Sequence, residues 1–139
     1  MRLHGYFRSS AAWRVCIALN LKGTSADHLF HHLRKGEQVA PDYLKLNPQG
    51  LLPTLETDDG RALTQSLAII EWLDETHPDP PLLPKDAFQR ARVRAFALAI
   101  AALSAHTPAT ATEAETARHG FRPPEATKPV LSAHRGASG

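Results

Sequence analysis

Residues 51–76 read LLPTLETDDGRALTQSLAIIEWLDET, and they decide the fold class. Leu51–Glu56 and Arg61–Thr64 are short apolar-rich runs on either side of Asp58-Asp59-Gly60. Two such runs around an Asp-Gly turn predict an antiparallel hairpin. Ser66–Thr76 follows at once with helical spacing: Leu67, Ile70 and Leu73/Trp72 are expected on one side, Glu71, Asp74 and Glu75 on the other. Pro53 breaks the first run, because proline donates nothing to a ladder. Either the strand lies at an edge, or Pro53 opens it as a cis proline. A cis bond would turn the Leu52 backbone outward, toward an extended peptide-like ligand.

Toward the N-terminus, Arg2–Phe7 fits a strand and Ala11–Leu21 a helix. Trp13, Cys16, Ile17 and Leu21 recur at spacings of three and four, with Val15, Ala18 and Leu19 widening the stripe, and Gly23 supplies a stop. Asp27–Leu33 is expected as a second strand and Pro41–Leu46 as a short helix ended by Asn47-Pro48. The order over the first 77 residues is β-α-β-α-β-β-α. Alternation at the start predicts parallel strands with a right-handed crossover, and the hairpin adds antiparallel pairing. In such α/β sheets ligands sit beyond the strand ends, beside helix N-termini.

Toward the C-terminus, HPDPPLLP (residues 77–84) holds four prolines in eight residues, and residues 78–86 read as a stiff linker. Asp86 is placed to cap a helix over 87–102, whose Arg90, Arg92 and Arg94 spread around the surface. Residues 103–139 lose all periodicity and hold few large apolar side chains, so they are expected to be a disordered tail.

Composition narrows the function. Apolar residues make up 42% and charged residues 22% of the 139, ordinary for a globular chain. A net charge of +2, scattered, argues against nucleic acid. One cysteine, Cys16, excludes an internal disulfide, and its apolar helical setting predicts burial. The N-terminus lacks a signal-peptide core, and no apolar run is long enough for a membrane span. The expected setting is cytoplasmic. His28, His31 and His32 suggest a metal, but strand alternation puts His31 opposite the other two, so a solvated strand face and no metal are expected.

Two helix starts carry candidate chemistry. Arg8-Ser9-Ser10 precedes the first helix. A serine there is a cap, or a hydroxyl donor that stabilises an anionic sulfur at the positive helix end. Gln65-Ser66 opens the third helix, again as a cap or as a site for a carboxylate. A dithiol redox protein is disfavoured, because the first start reads Ser9-Ser10-Ala11-Ala12.

Together YFRSSAAWRVCIALNLKG, LNPQGLLPTLETDDG, LTQSLAIIEWLDETHPDPPLLP and RARVRAFALAIA resemble the zeta class of glutathione transferases, which includes maleylacetoacetate and maleylpyruvate isomerases. The resemblance runs from Leu3 to about Ala101. It implies a thioredoxin-like glutathione-binding domain (1–77), a linker and the first helix of an all-helical domain, usually in a homodimer. It also implies glutathione as cofactor and cis–trans isomerisation of a maleyl-type dicarboxylic keto acid in aromatic-compound breakdown. By position, Ser9 would activate the glutathione thiol, supported by Ser10 and the loop Ala11, Ala12, Trp13 and Arg14. Gln38 would contact the tripeptide, Leu52 before Pro53 would pair with its cysteinyl backbone, and Gln65 and Ser66 would hold its γ-glutamyl head. Arg8 would take a substrate carboxylate, since a guanidinium pairs bidentately with one. Ala11 stands where many zeta members carry cysteine, which leaves thiol activation to serine and the helix end. The break after Ala101 is expected to reflect a truncated or frameshifted C-terminal part. The competing expectation is a glutathione-binding module or fragment without activity.

Overall fold

β1 (Arg2–Gly5) lies at the centre of a four-stranded mixed sheet with the order β2-β1-β3-β4. The structure is a computed structural model of the chain and describes residues 1–106. The other elements are α1 (Ser10–Leu21), β2 (Asp27–Phe30), α2 (Pro41–Leu46), β3 (Thr54–Glu56), β4 (Ala62–Thr64), α3 (Ser66–Thr76) and α4 (Ala87–His106). Two single 3₁₀ turns, Leu33–Lys35 and Glu37–Val39, join β2 to α2. β1 and β2 are parallel; β1 pairs antiparallel with β3, and β3 with β4. This is the expected βαβαββα, thioredoxin-like arrangement. Among the described residues, no helix is long and apolar enough to cross a membrane.

The core is the layer between the sheet and the helices α1 and α3. Leu3 and Leu55 from the sheet meet Val15, Ala18 and Leu19 of α1 and Ile69 and Leu73 of α3. Val15, Leu55, Ile69 and Leu73 have no exposed surface. Burying an aliphatic side chain of this size is worth roughly 1.5–3 kcal/mol. Small residues set the spacing: a Cβ on Gly5 would lie 3.2 Å from Cβ of Ala12, so glycine lets α1 approach β1 closely.

Both helix stripes differ from the expected ones. On α1 the buried residues are Ala12, Val15, Ala18 and Leu19, while Trp13, Ile17 and Leu21 are more than half exposed. On α3, Ile69 and Leu73 are buried, and Leu67, Ile70 and Trp72 only in part. These helices are apolar on two sides, and only one side can meet the sheet. Spacing alone does not say which.

β2 is shorter than expected and exposed at all four residues, as the edge of the sheet. It ends at Phe30, and His31 leaves the strand to stack on His4 (ring centroids 5.1 Å apart) and lean on Tyr43 (4.6 Å). His31 therefore does not continue a solvated strand face. α4 continues to His106, past the expected end at Ala102, because Ala-Ala-Leu-Ser-Ala favours helix and the first restriction comes from Pro108. From Thr107 onward the expected tail lies outside the described residues.

Buried Lys22, at the end of α1, holds the linker. Its Nζ pairs with Asp74 of α3 and donates to the Pro80 carbonyl (2.6 Å), while Asp74 also accepts from the Leu82 N–H (2.8 Å). Burial alone would raise the Asp74 pKa, but Lys22 and the backbone N–H groups of Leu82 and Leu83 together hold it below the ordinary value.

Candidate functional site

Strand register brings the candidate residues to one end of the sheet. Gly5 pairs with Phe30, His4 with Thr54 and Thr54 with Thr64. The chain after β1, the chain after β2, the chain before β3 and the chain after β4 therefore all emerge there. Those segments carry Arg8–Ser10, Gln38, Leu52-Pro53 and Gln65-Ser66 respectively. The N-termini of α1 and α3 face the same end, with their free backbone N–H groups and positive dipole ends.

At the first helix start, Ser9 is the N-cap (φ −85°, ψ 107°), and its Oγ accepts from the Ala12 N–H at 3.2 Å. Capping uses the oxygen as acceptor and leaves the O–H proton for another partner. The Ser9 N–H donates to Tyr6 O (2.9 Å) and Trp13 Nε1 donates to Phe7 O (2.8 Å), which fixes the loop carrying Arg8. Arg8 and Ser10 are exposed, Ser9 and Ala11 half-buried, and Ala12 buried. Cys16 lies two turns on, half-buried, and burial pushes its thiol pKa up, away from reactivity.

The Leu52–Pro53 bond is cis and Pro53 is buried. Leu52 stands outside the ladder, whose register begins at Thr54. Two residues that the sequence marked only as a helix body and a helix stop support this loop. Tyr43 Oη donates to Leu51 O (2.6 Å) and bonds Thr54 Oγ1 (2.8 Å); Asn47 Nδ2 reaches the same two atoms at 2.8 and 3.1 Å. Burial raises the Tyr43 pKa, so it stays a neutral donor. The pattern NPQG (residues 47–50) is the available signal: Asn47 turns the chain, and Gly50 (φ +63°) passes Val39 where a Cβ would lie 3.0 Å away. The same turn presents Gln49, whose Oε1 accepts from Gln65 Nε2 at 3.1 Å.

At the second helix start, Gln65 has φ 67° and ψ 112°, rare for a non-glycine residue, and such strain clusters at ligand sites. Ser66 is buried, and Arg14 from α1 donates to its Oγ from Nε (3.3 Å) and Nη2 (3.1 Å). Gln38 sits in the second 3₁₀ turn, where its Oε1 is buried and has no hydrogen-bond partner among the described residues.

A sizeable cavity lies away from these helix starts. An open groove of about 630 Å³ separates α1 and α3 from α4, lined mainly by apolar residues such as Ile17, Leu21, Leu67, Ile70, Val93 and Phe96. It borders Arg14 but not Ser9, Leu52 or Gln65, so its size does not mark the site.

A family description, glutathione S-transferase N-terminal domain, matches residues 3–81. The chain belongs to the glutathione S-transferases. It is 50% identical over 97 residues to a maleylpyruvate isomerase of Ralstonia sp, covering 70% of this chain and 45% of that protein. The chain thus spans about half the length of the curated relatives it matches. Among solved structures it is similar to a maleylacetoacetate isomerase of Methylobacterium extorquens AM1 with bound malonate and glutathione (TM-score 0.76, 41% identity, 88% of this chain and 57% of that one). It is also similar to one of Anaeromyxobacter dehalogenans 2CP-1 with dicarboxyethyl glutathione and citrate in its active site (TM-score 0.64, 39% identity, 84% and 55%).

Proposed function

We propose that this transferase domain binds glutathione at the end of the sheet where α1 and α3 begin, and serves cis–trans isomerisation of a maleyl-type dicarboxylic keto acid in aromatic-compound breakdown. The observation that carries this reading is the meeting of two helix N-termini and the cis-proline loop at one sheet end. The arrangement suits a peptide with a carboxylate at one end and a thiolate in the middle. Ser66 and Gln65 would hold the γ-glutamyl head, Leu52 the cysteinyl backbone, Gln38 the remainder of the tripeptide, and Ser9 the sulfur. When bound, glutathione supplies the thiolate nucleophile whose addition to the cis double bond allows rotation before elimination.

The residues contribute electrostatics and position. The Ser9 O–H, free to donate while its oxygen caps α1, would stabilise a sulfur anion together with the N-terminal N–H groups of the helix. Ser10, at the first turn of α1, would add a second hydroxyl near that anion, and Ala11, Ala12 and Trp13 would shape the loop around it. Arg8, exposed on the same loop, would pair with a substrate carboxylate and with the negative charge that develops on the enolate formed by thiolate addition. The protein would work as a homodimer in the cytoplasm, with no nucleic-acid or membrane partner.

A binding module without turnover is the second reading, favoured by the open apolar groove beside α4. Glutathione titration by calorimetry, followed by an isomerase assay on maleylacetoacetate and maleylpyruvate, separates the two. Binding with turnover supports the enzyme, binding without turnover supports the module, and absence of binding removes both.

A further inference from the structure

Arg14 and Ser66 are 52 residues apart in sequence, yet the guanidinium of one lies against the hydroxyl of the other. A hydroxyl oxygen has two lone pairs and one proton. Arg14 Nε and Nη2 each donate to Ser66 Oγ, at 3.3 and 3.1 Å. Among the described residues these are the side-chain hydrogen bonds of Ser66, and it accepts in both. With its lone pairs engaged from the α1 side, the hydroxyl keeps only its proton to offer. A cation behind an O–H also polarises it and strengthens it as a donor. Ser66 is buried at the first position of α3, so rotation of the hydroxyl is not relieved by bulk water.

We propose that Arg14 is a positioning residue that makes Ser66 an obligate donor at the N-terminus of α3, and thereby selects a carboxylate over a carboxamide in the ligand head. This rests on the reading of that end as the seat of the γ-glutamyl group. A carboxylate only accepts, and matches a hydroxyl that only donates. A primary amide has only one acceptor oxygen: with that oxygen on the free N–H groups at the start of α3, its NH2 faces Ser66 Oγ, which has no lone pair left while Arg14 is in place. Arg14 acts through Ser66, without touching the ligand.

The test compares binding of glutathione and of its analogue with the γ-glutamyl α-carboxylate replaced by carboxamide. Wild type, Arg14→Met, Arg14→Lys, Ser66→Ala and the Arg14→Met/Ser66→Ala double variant are titrated by calorimetry, with folding checked by circular dichroism. Wild type is expected to prefer the carboxylate, and Arg14→Met to lose at least about tenfold of that preference, equivalent to about 1.4 kcal/mol. Arg14→Lys, which keeps the charge but not the two-nitrogen fork, is expected to fall between them and stands in if Arg14→Met does not fold. In the Ser66→Ala background, Arg14→Met is expected to change the preference no further. A purely structural Arg14 would weaken both ligands alike and leave the ratio unchanged, which would overturn the assignment. An equal drop in the Ser66→Ala background would overturn it too, by showing direct action of the charge on the ligand. Failure of wild type to bind glutathione would instead remove the functional reading, and this inference with it.

Discussion

The sheet side and the α4 side of the helix pair α1/α3 are built from similar residues and end up in opposite states. Toward the sheet, Leu3, Val15, Leu55, Ile69 and Leu73 are almost wholly buried. Toward α4, Ile17 and Leu21 remain more than half exposed, as do Phe96 at 69% and Leu98 at 59%. α4 touches the rest through a bidentate pair, Arg94 with Glu71 at 2.8 and 3.0 Å, and through the rim of an open groove. Apolar composition therefore does not itself make a core. A second surface of matching shape must close on it, and the sheet does so for one face only.

That contrast can be broken most directly at Leu55. Leu55→Ala should cost about 2–5 kcal/mol, because a fully buried side chain leaves a cavity. Phe96→Ala on α4 should change stability by about 0.5 kcal/mol or less. It should also reduce binding of a hydrophobic dye and self-association, since it removes an exposed aromatic ring. Urea unfolding of both variants checks this; equal losses would mean that α4 is packed as tightly as the sheet layer.

Between the two sides, Lys22 ties α1 to α3 and to the linker. Lys22→Met should cost about 3 kcal/mol, because it leaves Asp74 largely buried without its cation. The acid limb should change as well. Asp74 has a folded pKa below its ordinary 3.8, so its contribution is complete above that value and is lost as pH falls through the folded pKa. Denaturation curves between pH 5 and 2 should show a shallower acid loss in Lys22→Met than in wild type. Parallel curves would mean that Lys22 does not set the Asp74 titration.

A smaller effect is expected at the site end. Ser9→Ala removes the α1 cap and should lower stability by about 1 kcal/mol. If Ser9 also donates to the bound sulfur, the apparent thiol pKa of bound glutathione rises as well, read from thiolate ultraviolet absorbance against pH. Lost stability with an unchanged thiol pKa would leave Ser9 as a cap alone.

The smallest effect concerns the polar seam at the edge of the sheet. His31 faces His4 of β1 (2.9 Å between ring nitrogens), Tyr43 of α2 and Glu37 of the 3₁₀ turn, with Glu56 of β3 bonded to His4 behind it. Burial, then His4, lowers the His31 pKa against a raising effect of Glu37. Because the folded pKa lies below the ordinary 6.5, the stability tied to neutral His31 is full above pH 6.5 and is lost as pH falls through the folded value. The two ring nitrogens share one proton, so protonating both rings would break the contact. Unfolding measured at pH 7.5, 6.5 and 5.5 should show wild type weakening and His31→Phe changing less; identical slopes would remove His31 as the titrating group.

Much of the candidate site was legible in the sequence because the features that place its residues are local. A serine before an apolar helix, a proline at the head of a strand and an Asp-Gly turn each restrict the backbone within four or five residues, and the chain could be read for them one at a time. Gln49, Tyr43 and Asn47 were missed as site supports because their roles depend on a loop folding back beside β3, which leaves only the weak pattern NPQG in the sequence. His31 was misread for a related reason: alternation assumes that the strand goes on, but β2 ends at Phe30, and after one more bond from the His31 N–H to Gly5 O (2.9 Å) the side chain packs on His4 and Tyr43.

The order of elements, the hairpin, the helix starts and the proline at the head of β3 follow from the amino-acid sequence directly, because turn chemistry, capping and proline geometry act over a few residues. Packing in three dimensions chose which faces of α1 and α3 became core, and brought Arg14 to Ser66 across 52 residues. Helical periodicity leaves two apolar sides equivalent until a sheet of definite twist and register covers one of them. A long-range hydrogen bond has no local signature, because its two ends are held in place by packing and not by their neighbours in the chain.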